Sequence, residues 1–154
     1  MVTNIRKATE SKVADAAELP ARLRLAIVRT ARRLRQEAGT DLSPSLTSAL
    51  ATIERHGPLT PSELAEIERV QRPSATRIVA RLEKAGLVDR AADPSDGRVS
   101  LVTATRKGRS LLRRLRTRKN AYLARRMRDL DPDDVAALER AAEVLERLLE
   151  GERS

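Results

Sequence analysis

Between Thr60 and Arg98 the 154-residue chain gathers side chains able to read nucleic acid. Arg72, Ser74, Thr76, Arg77 and Arg81 fall within ten residues. Arginine pairs with guanine, and short hydroxyls reach base edges or phosphates. Arg98 follows Asp96 and Gly97 in a turn-forming run. An arginine on such a tip can enter a minor groove, where the potential is negative and access is narrow. Asp96 is expected to hold Arg98 by a charge-assisted hydrogen bond. Thr60 and Ser62 stand at a helix start, where phosphate is welcome.

Other chemistries find little support. His56 is the only histidine and cysteine is absent. A lone histidine beside a helix end is better explained by the negative end of the helix dipole than by a metal or proton transfer. Asp93 and Asp96 sit among turn-formers, and turn geometry accounts for them. Glu63, Glu66 and Glu68 read as helix-surface acids. There is no phosphate-loop, GxGxxG or GxSxG motif. The expectation is a protein that is not an enzyme and uses no cofactor or metal.

Composition agrees. The formal net charge is +9, but residues 19–128 carry net +15 and residues 129–154 net −6. The excess of cations thus coincides with the candidate reading residues and favours a polyanionic partner. An arginine-rich composition alone is the competing explanation. Tyr122 is the only aromatic residue, so there is no platform for stacking unpaired bases. That points to duplex DNA. No stretch has the apolar length of a membrane span or a signal peptide. A cytoplasmic, nucleoid-associated protein with no membrane partner is expected.

The elements that must hold these residues can be read from caps and periodicity. Thr60, Pro61 and Glu63 form a capping box with proline in the first turn. They open a short helix with an apolar face of Leu64, Ala65 and Ile67. The chain turns at Arg72-Pro73. A second helix follows from Pro73 or Ser74, with Ile78, Val79, Leu82 and Ala85 inward and Ser74, Ala75, Thr76, Arg77, Ala80, Arg81 and Lys84 outward. Gly86 ends it. Leu87–Arg90 and Val99–Thr103 read as two strands around a turn at 92–97. Two helices and a hairpin in this order describe a winged helix-turn-helix, with the second helix in the major groove.

The runs Leu82-Glu83-Lys84-Ala85-Gly86-Leu87-Val88, Asp93-Pro94-Ser95-Asp96-Gly97-Arg98 and Thr105-Arg106-Lys107-Gly108 together resemble the MarR family of bacterial transcription regulators. The resemblance spans about Leu19 to Leu149. It implies a homodimer on palindromic operator DNA, a short extended contact between Leu59 and the wing, and often a small phenolic or lipophilic effector between the dimer helices and the DNA-binding lobe. With almost no aromatics to stack on such a ligand, ligand-independent action is equally open.

The flanking segments complete a mainly α fold. Residues 1–18 read as a flexible N-terminal arm, and 151–154 as a tail. One domain occupies 19–150. Its dimerisation helices are 19–38 and 105–150, and its winged lobe is 43–104. Pro20 is expected to open the first helix, with Leu23 and Ile27 in its apolar stripe. Ser43-Pro44 opens the next, with Leu46, Ala49, Leu50 and Ile53 inward. Thr105 caps a helix to about Arg128 that has eleven basic residues and no acid, and includes Leu123. Such a helix must lie near phosphates, near the acidic last helix, or both. Val135, Leu138, Ala142, Leu145 and Leu149 form a seam suited to a second subunit. Sequence-specific repression by a homodimer is the primary expectation. A non-specific architectural DNA-binding protein is the alternative.

Overall fold

Three helices open with the same device, a side-chain cap followed by proline. The computed structural model describes the backbone of residues 2–150 and the side chains of residues 18–150. Its elements are α1 (Val2–Ala38), α2 (Pro44–His56), α3 (Pro61–Ile67), α4 (Arg72–Lys84), β1 (Val88–Ala92), β2 (Ser100–Ala104), α5 (Arg106–Met127) and α6 (Pro132–Glu150). Ser43 Oγ accepts the Leu46 amide at 3.4 Å, and Asp131 Oδ1 accepts the Asp134 amide at 2.8 Å. At α3 the capping box is complete. Glu63 Oε2 accepts the Thr60 amide at 2.7 Å, and Thr60 Oγ1 accepts the Glu63 amide at 3.2 Å. The Thr60 amide, and after it the Thr60 hydroxyl, hold the Glu63 carboxyl below the usual carboxylate range.

The core lies under the winged lobe. Leu46, Leu50 and Ile53 of α2 meet Leu64, Val79, Leu82, Val88, Val102 and Leu112. β1 and β2 pair antiparallel, from Val88 opposite Ala104 to Ala92 opposite Ser100. Leu59 adds the expected short third rung, exchanging backbone bonds with Val102 at 3.2 and 2.8 Å. Both strands begin one residue later than the sequence suggests, and β1 ends two residues later.

Three expectations are corrected. The first helix does not begin at Pro20; it runs from Val2 with Pro20 inside it. Proline removes one amide from the helix ladder, but alanines, glutamates, leucines and arginines on both sides favour helix strongly enough to carry through. Of residues 1–18, expected as a flexible arm, the backbone of 2–18 belongs to α1; the side chains of 1–17 lie outside the described residues, as does the 151–154 tail. Second, Ile67 is 47% exposed. On two helical turns the inward direction set by Leu64 and Ala65 is shared by position 68, not 67. Glu68 takes it and accepts the Thr52 hydroxyl at 2.5 Å. Third, Ala75 is buried while Ile78 is only half-buried, because Ala75, Val79 and Leu82 form the inward stripe of α4.

The start of α5 makes the tightest approach. A Cβ at Gly108 would lie 2.2 Å from the Leu87 carbonyl oxygen and 3.2 Å from Leu50 Cδ1. Glycine is required there by space rather than by backbone angle.

Two outcomes follow from these contacts. Gly108→Ala should destabilise the fold by about 1–3 kcal/mol, the usual cost of overpacking, as read by urea denaturation; an unchanged midpoint would refute the close approach. The Glu63 carboxyl has a lowered folded pKa, so its stabilisation is present above the usual glutamate range and is lost as pH falls through the folded value. Glu63→Gln should therefore melt below wild type at neutral pH and converge with it in acid. A gap that persists in acid would show that the cap does not act through the carboxylate.

Candidate nucleic-acid interface

α4 divides sharply into two faces. Ala75, Val79 and Leu82 seal one against the core, and Arg72, Thr76, Arg77, Ala80, Arg81 and Lys84 are exposed on the other. Ser74 is half-buried and accepts an Arg77 N–H at 3.3 Å. Thr76 donates to the Arg72 carbonyl at 3.1 Å, leaving its oxygen able to accept. The outward side chains span the first three turns of α4, the part that can enter a groove end-on.

The wing holds Arg98 through its backbone. Asp96 Oδ1 accepts the Arg98 backbone amide at 3.0 Å, not the guanidinium. A short aspartate in a turn reaches the amide two residues on more readily than a long side chain folded back on it. Asp93 does the same for Ser95 at 2.7 Å. The Ser95 hydroxyl, and then its amide, keep the Asp93 carboxyl below the usual range. The loop is thus shaped by its own carboxylates. The Arg98 side chain has no hydrogen-bond or ion-pair partner among the described residues. Arg90 of β1 faces Glu83 of α4 at 3.0 Å, which ties the wing to the helix.

At the far end of α4 the first and third motif segments meet. Thr105 Oγ1 donates to the Gly86 carbonyl at 2.8 Å and accepts the Gly108 amide at 3.0 Å. The Thr105 amide donates to Leu87 O at 3.0 Å. Lys107 Nζ donates to Ala85 O at 2.7 Å. The carbonyls that end α4 are therefore capped by the residues that begin α5, and an ammonium there suits the helix dipole. Lys107 and Gly108 were legible as part of a family motif, but their contacts were not.

The same holds for the cations of α5. The helix is expected near phosphates, near α6, or both. Within the subunit Arg109 donates to Ala104 O, Arg116 pairs with Glu54 of α2, and Arg118 donates to Ala38 O at 2.9 Å and to Gly39 O at 3.2 Å. Arg33 and Arg126 each lie 5.7 Å from the Tyr122 ring centre. The guanidinium of Arg126, and after it that of Arg33, beside the Tyr122 hydroxyl lower its pKa. Part of the positive charge of α5 is thus used within the subunit, Arg116 holding α2 and Arg118 the end of α1. Arg106, Arg113 and Arg114 remain along an open groove of about 830 Å³ on α5.

The residues assigned to dimerisation are not brought together within one subunit. Leu23 and Ile27 on α1, and Leu138 and Leu149 on α6, are exposed; Leu123, Val135 and Leu145 are half-buried. α6 buries none of its residues. Between α1, α2 and α5 a second groove of about 720 Å³ is lined by Leu34, Ala38, Leu42, Ala51 and Leu115, with Arg32, Arg35 and Lys119 also along it. Sequence periodicity does not reveal this groove, because its wall comes from three helices.

Among the described residues no helix is long and apolar enough to cross a membrane. Comparison with known proteins agrees with the architecture. The sequence pattern described as MarR family matches residues 42–100. An uncharacterised HTH-type transcriptional regulator of Mycobacterium leprae is 38% identical over 87% of this chain and 94% of its own length. A crystal structure of a candidate transcriptional regulator from Pseudomonas aeruginosa is 34% identical, covers 88% of this chain and 96% of that one, and superposes with a TM-score of 0.79. Streptococcus pneumoniae FabT, solved in complex with DNA, shares the fold at 20% identity, with a TM-score of 0.67 over 86% of this chain and 97% of its own. The chain belongs to the MarR family and is a DNA-binding transcriptional regulator of the winged helix-turn-helix class.

Proposed function

We propose that the protein is a homodimeric, sequence-specific repressor that occupies a pseudo-palindromic operator. The observation that carries this reading is the two-faced α4. One side is locked into the core, while the other presents Arg72, Thr76, Arg77 and Arg81 without an acid among them. In this reading Arg77 and Arg81 reach base edges and Arg72 and Ser74 reach phosphates. Arg98 enters the flanking minor groove, its turn shaped by Asp96. Ser62 meets phosphate. Thr60 contributes by shaping the helix start, since its hydroxyl is already engaged with Glu63.

The dimer is supported by apolar surface that one subunit leaves uncovered. Leu138 is 48% and Leu149 63% exposed, on a helix that also carries acids. Arg106, Arg113 and Arg114 on α5 offer charge of the opposite sign. A two-fold pair would set the two α4 helices about one DNA turn, ~34 Å, apart. An effector is supported by the groove between α1, α2 and α5. Apolar side chains beside Arg32, Arg35 and Lys119 suit a small lipophilic anion. Such a ligand would bridge the dimer helices and the DNA-binding lobe, and so could bias their spacing.

Selection of genomic DNA fragments by the purified protein at near-physiological salt tests the central claim. An enriched inverted repeat is expected; binding without enrichment would replace this reading with an architectural one. Arg98→Ala should weaken operator binding on the order of tenfold, about 1.4 kcal/mol, with the dimer retained by sedimentation. Unchanged affinity would remove the wing from the interface. Leu138→Glu should shift the sedimenting species towards monomer and weaken operator binding with it. A variant that stays dimeric would place the subunit contact elsewhere.

A further inference from the structure

Three helices end with a residue in the left-handed backbone region, and the three are not alike. α1 ends at Gly39 with φ +59°, and α4 at Gly86 with φ +69°. α3 ends at Arg69 with φ 52°, the one non-glycine residue in that region among the described residues. The hydrogen bonding at the ends of α3 and α4 is the same. Gly86 N donates to Glu83 O at 2.8 Å and Leu87 N to Leu82 O at 2.9 Å. Arg69 N donates to Glu66 O at 3.2 Å and Val70 N to Ala65 O at 2.9 Å. This paired closure favours glycine, because a Cβ crowds the backbone there. Arginine at the second position carries strain that glycine would relieve.

Nothing inside the subunit explains that choice. Arg69 is exposed, and its guanidinium forms no ion pair among the described residues. Glu68, its neighbour, is engaged with Thr52. Glu66, on the turn before, is exposed and does not pair with it. The position is the turn between α3 and α4, three residues before Arg72, at the end of α4 from which the groove-facing side chains project. Strain kept at a surface position with no internal reward marks a functional contact.

We infer that Arg69 is a DNA-phosphate contact, holding the sugar–phosphate backbone beside the entry point of α4. The inference rests on the DNA-binding reading and adds to it a residue that periodicity and motif did not single out. Because the contact is to phosphate, it does not depend on operator sequence.

The test uses the full-length protein and a mixed-sequence duplex of about 30 base pairs, long enough for both subunits. Arg69→Gly should keep or raise the melting temperature. It should lower DNA affinity on the order of tenfold and flatten the slope of log affinity against log salt by about 2, near 0.9 for each subunit's phosphate. Arg69→Lys should keep the wild-type slope. If wild type binds and Arg69→Gly matches it in affinity and slope, the inference is overturned and the exposed turn serves a protein partner or none. If wild type binds no duplex at all, the DNA-binding reading itself falls, and this contact with it.

Discussion

The structure depends on the joint where α4 ends and α5 begins. The carbonyls of the residues that follow a helix end are turned out of its ladder and must find partners. Here the Thr105 hydroxyl, the Lys107 ammonium and the Thr105 amide serve Gly86, Ala85 and Leu87. Each bond is worth only about 1 kcal/mol net. Their geometry matters more than their sum. They join α4 directly to the long helix that runs away from the lobe, across the eighteen residues between Gly86 and Thr105. Gly108 permits it, since any side chain there would meet the Leu87 carbonyl. The wing is anchored at the same place, with Val88 opposite Ala104 as the rung beside the joint. The orientation of α4, the wing and α5 is therefore one constraint rather than three.

A second theme is how charge is spent. Net charge suggested a broad polyanion-binding surface, and α5 was its densest part. In the fold, Arg109, Arg116 and Arg118 bond to carbonyls and to Glu54, and Arg126 flanks Tyr122. Arg116 ties α5 to α2, Arg118 ties it to the end of α1, and Arg109 ties it to β2. Arg118 reaches the end of α1, where helix carbonyls are unpaired. Arginine suits this work because its planar fork can serve two acceptors while staying charged. Among the described residues, the cations left without such ties in the winged lobe are Arg55 at the end of α2 and a group on α4, on the wing and in the turn before α4. In the proposed reading that group faces DNA.

The chain by itself determined a good deal. Ser43-Pro44, Thr60-Pro61-Glu63 and Asp131-Pro132 located three helix starts, because capping is local chemistry between residues two or three apart. The inward stripe of α2 was legible in full, since thirteen residues give the 3.6 period enough turns to show. Only the tertiary structure decided the rest. Pro20 sits inside α1 because the helix-favouring residues on both sides outweigh one missing amide. Ile67 faces out because the inward direction of a seven-residue helix is set by what packs on it, not by its own pattern. Ala75 faces in for the same reason. Asp96 bonds a backbone amide rather than a guanidinium, which depends on turn angles that composition does not encode. The joint at Thr105 and the groove between α1, α2 and α5 are assembled from segments far apart in the chain. Local propensity cannot specify them, because their geometry exists only once the core has closed.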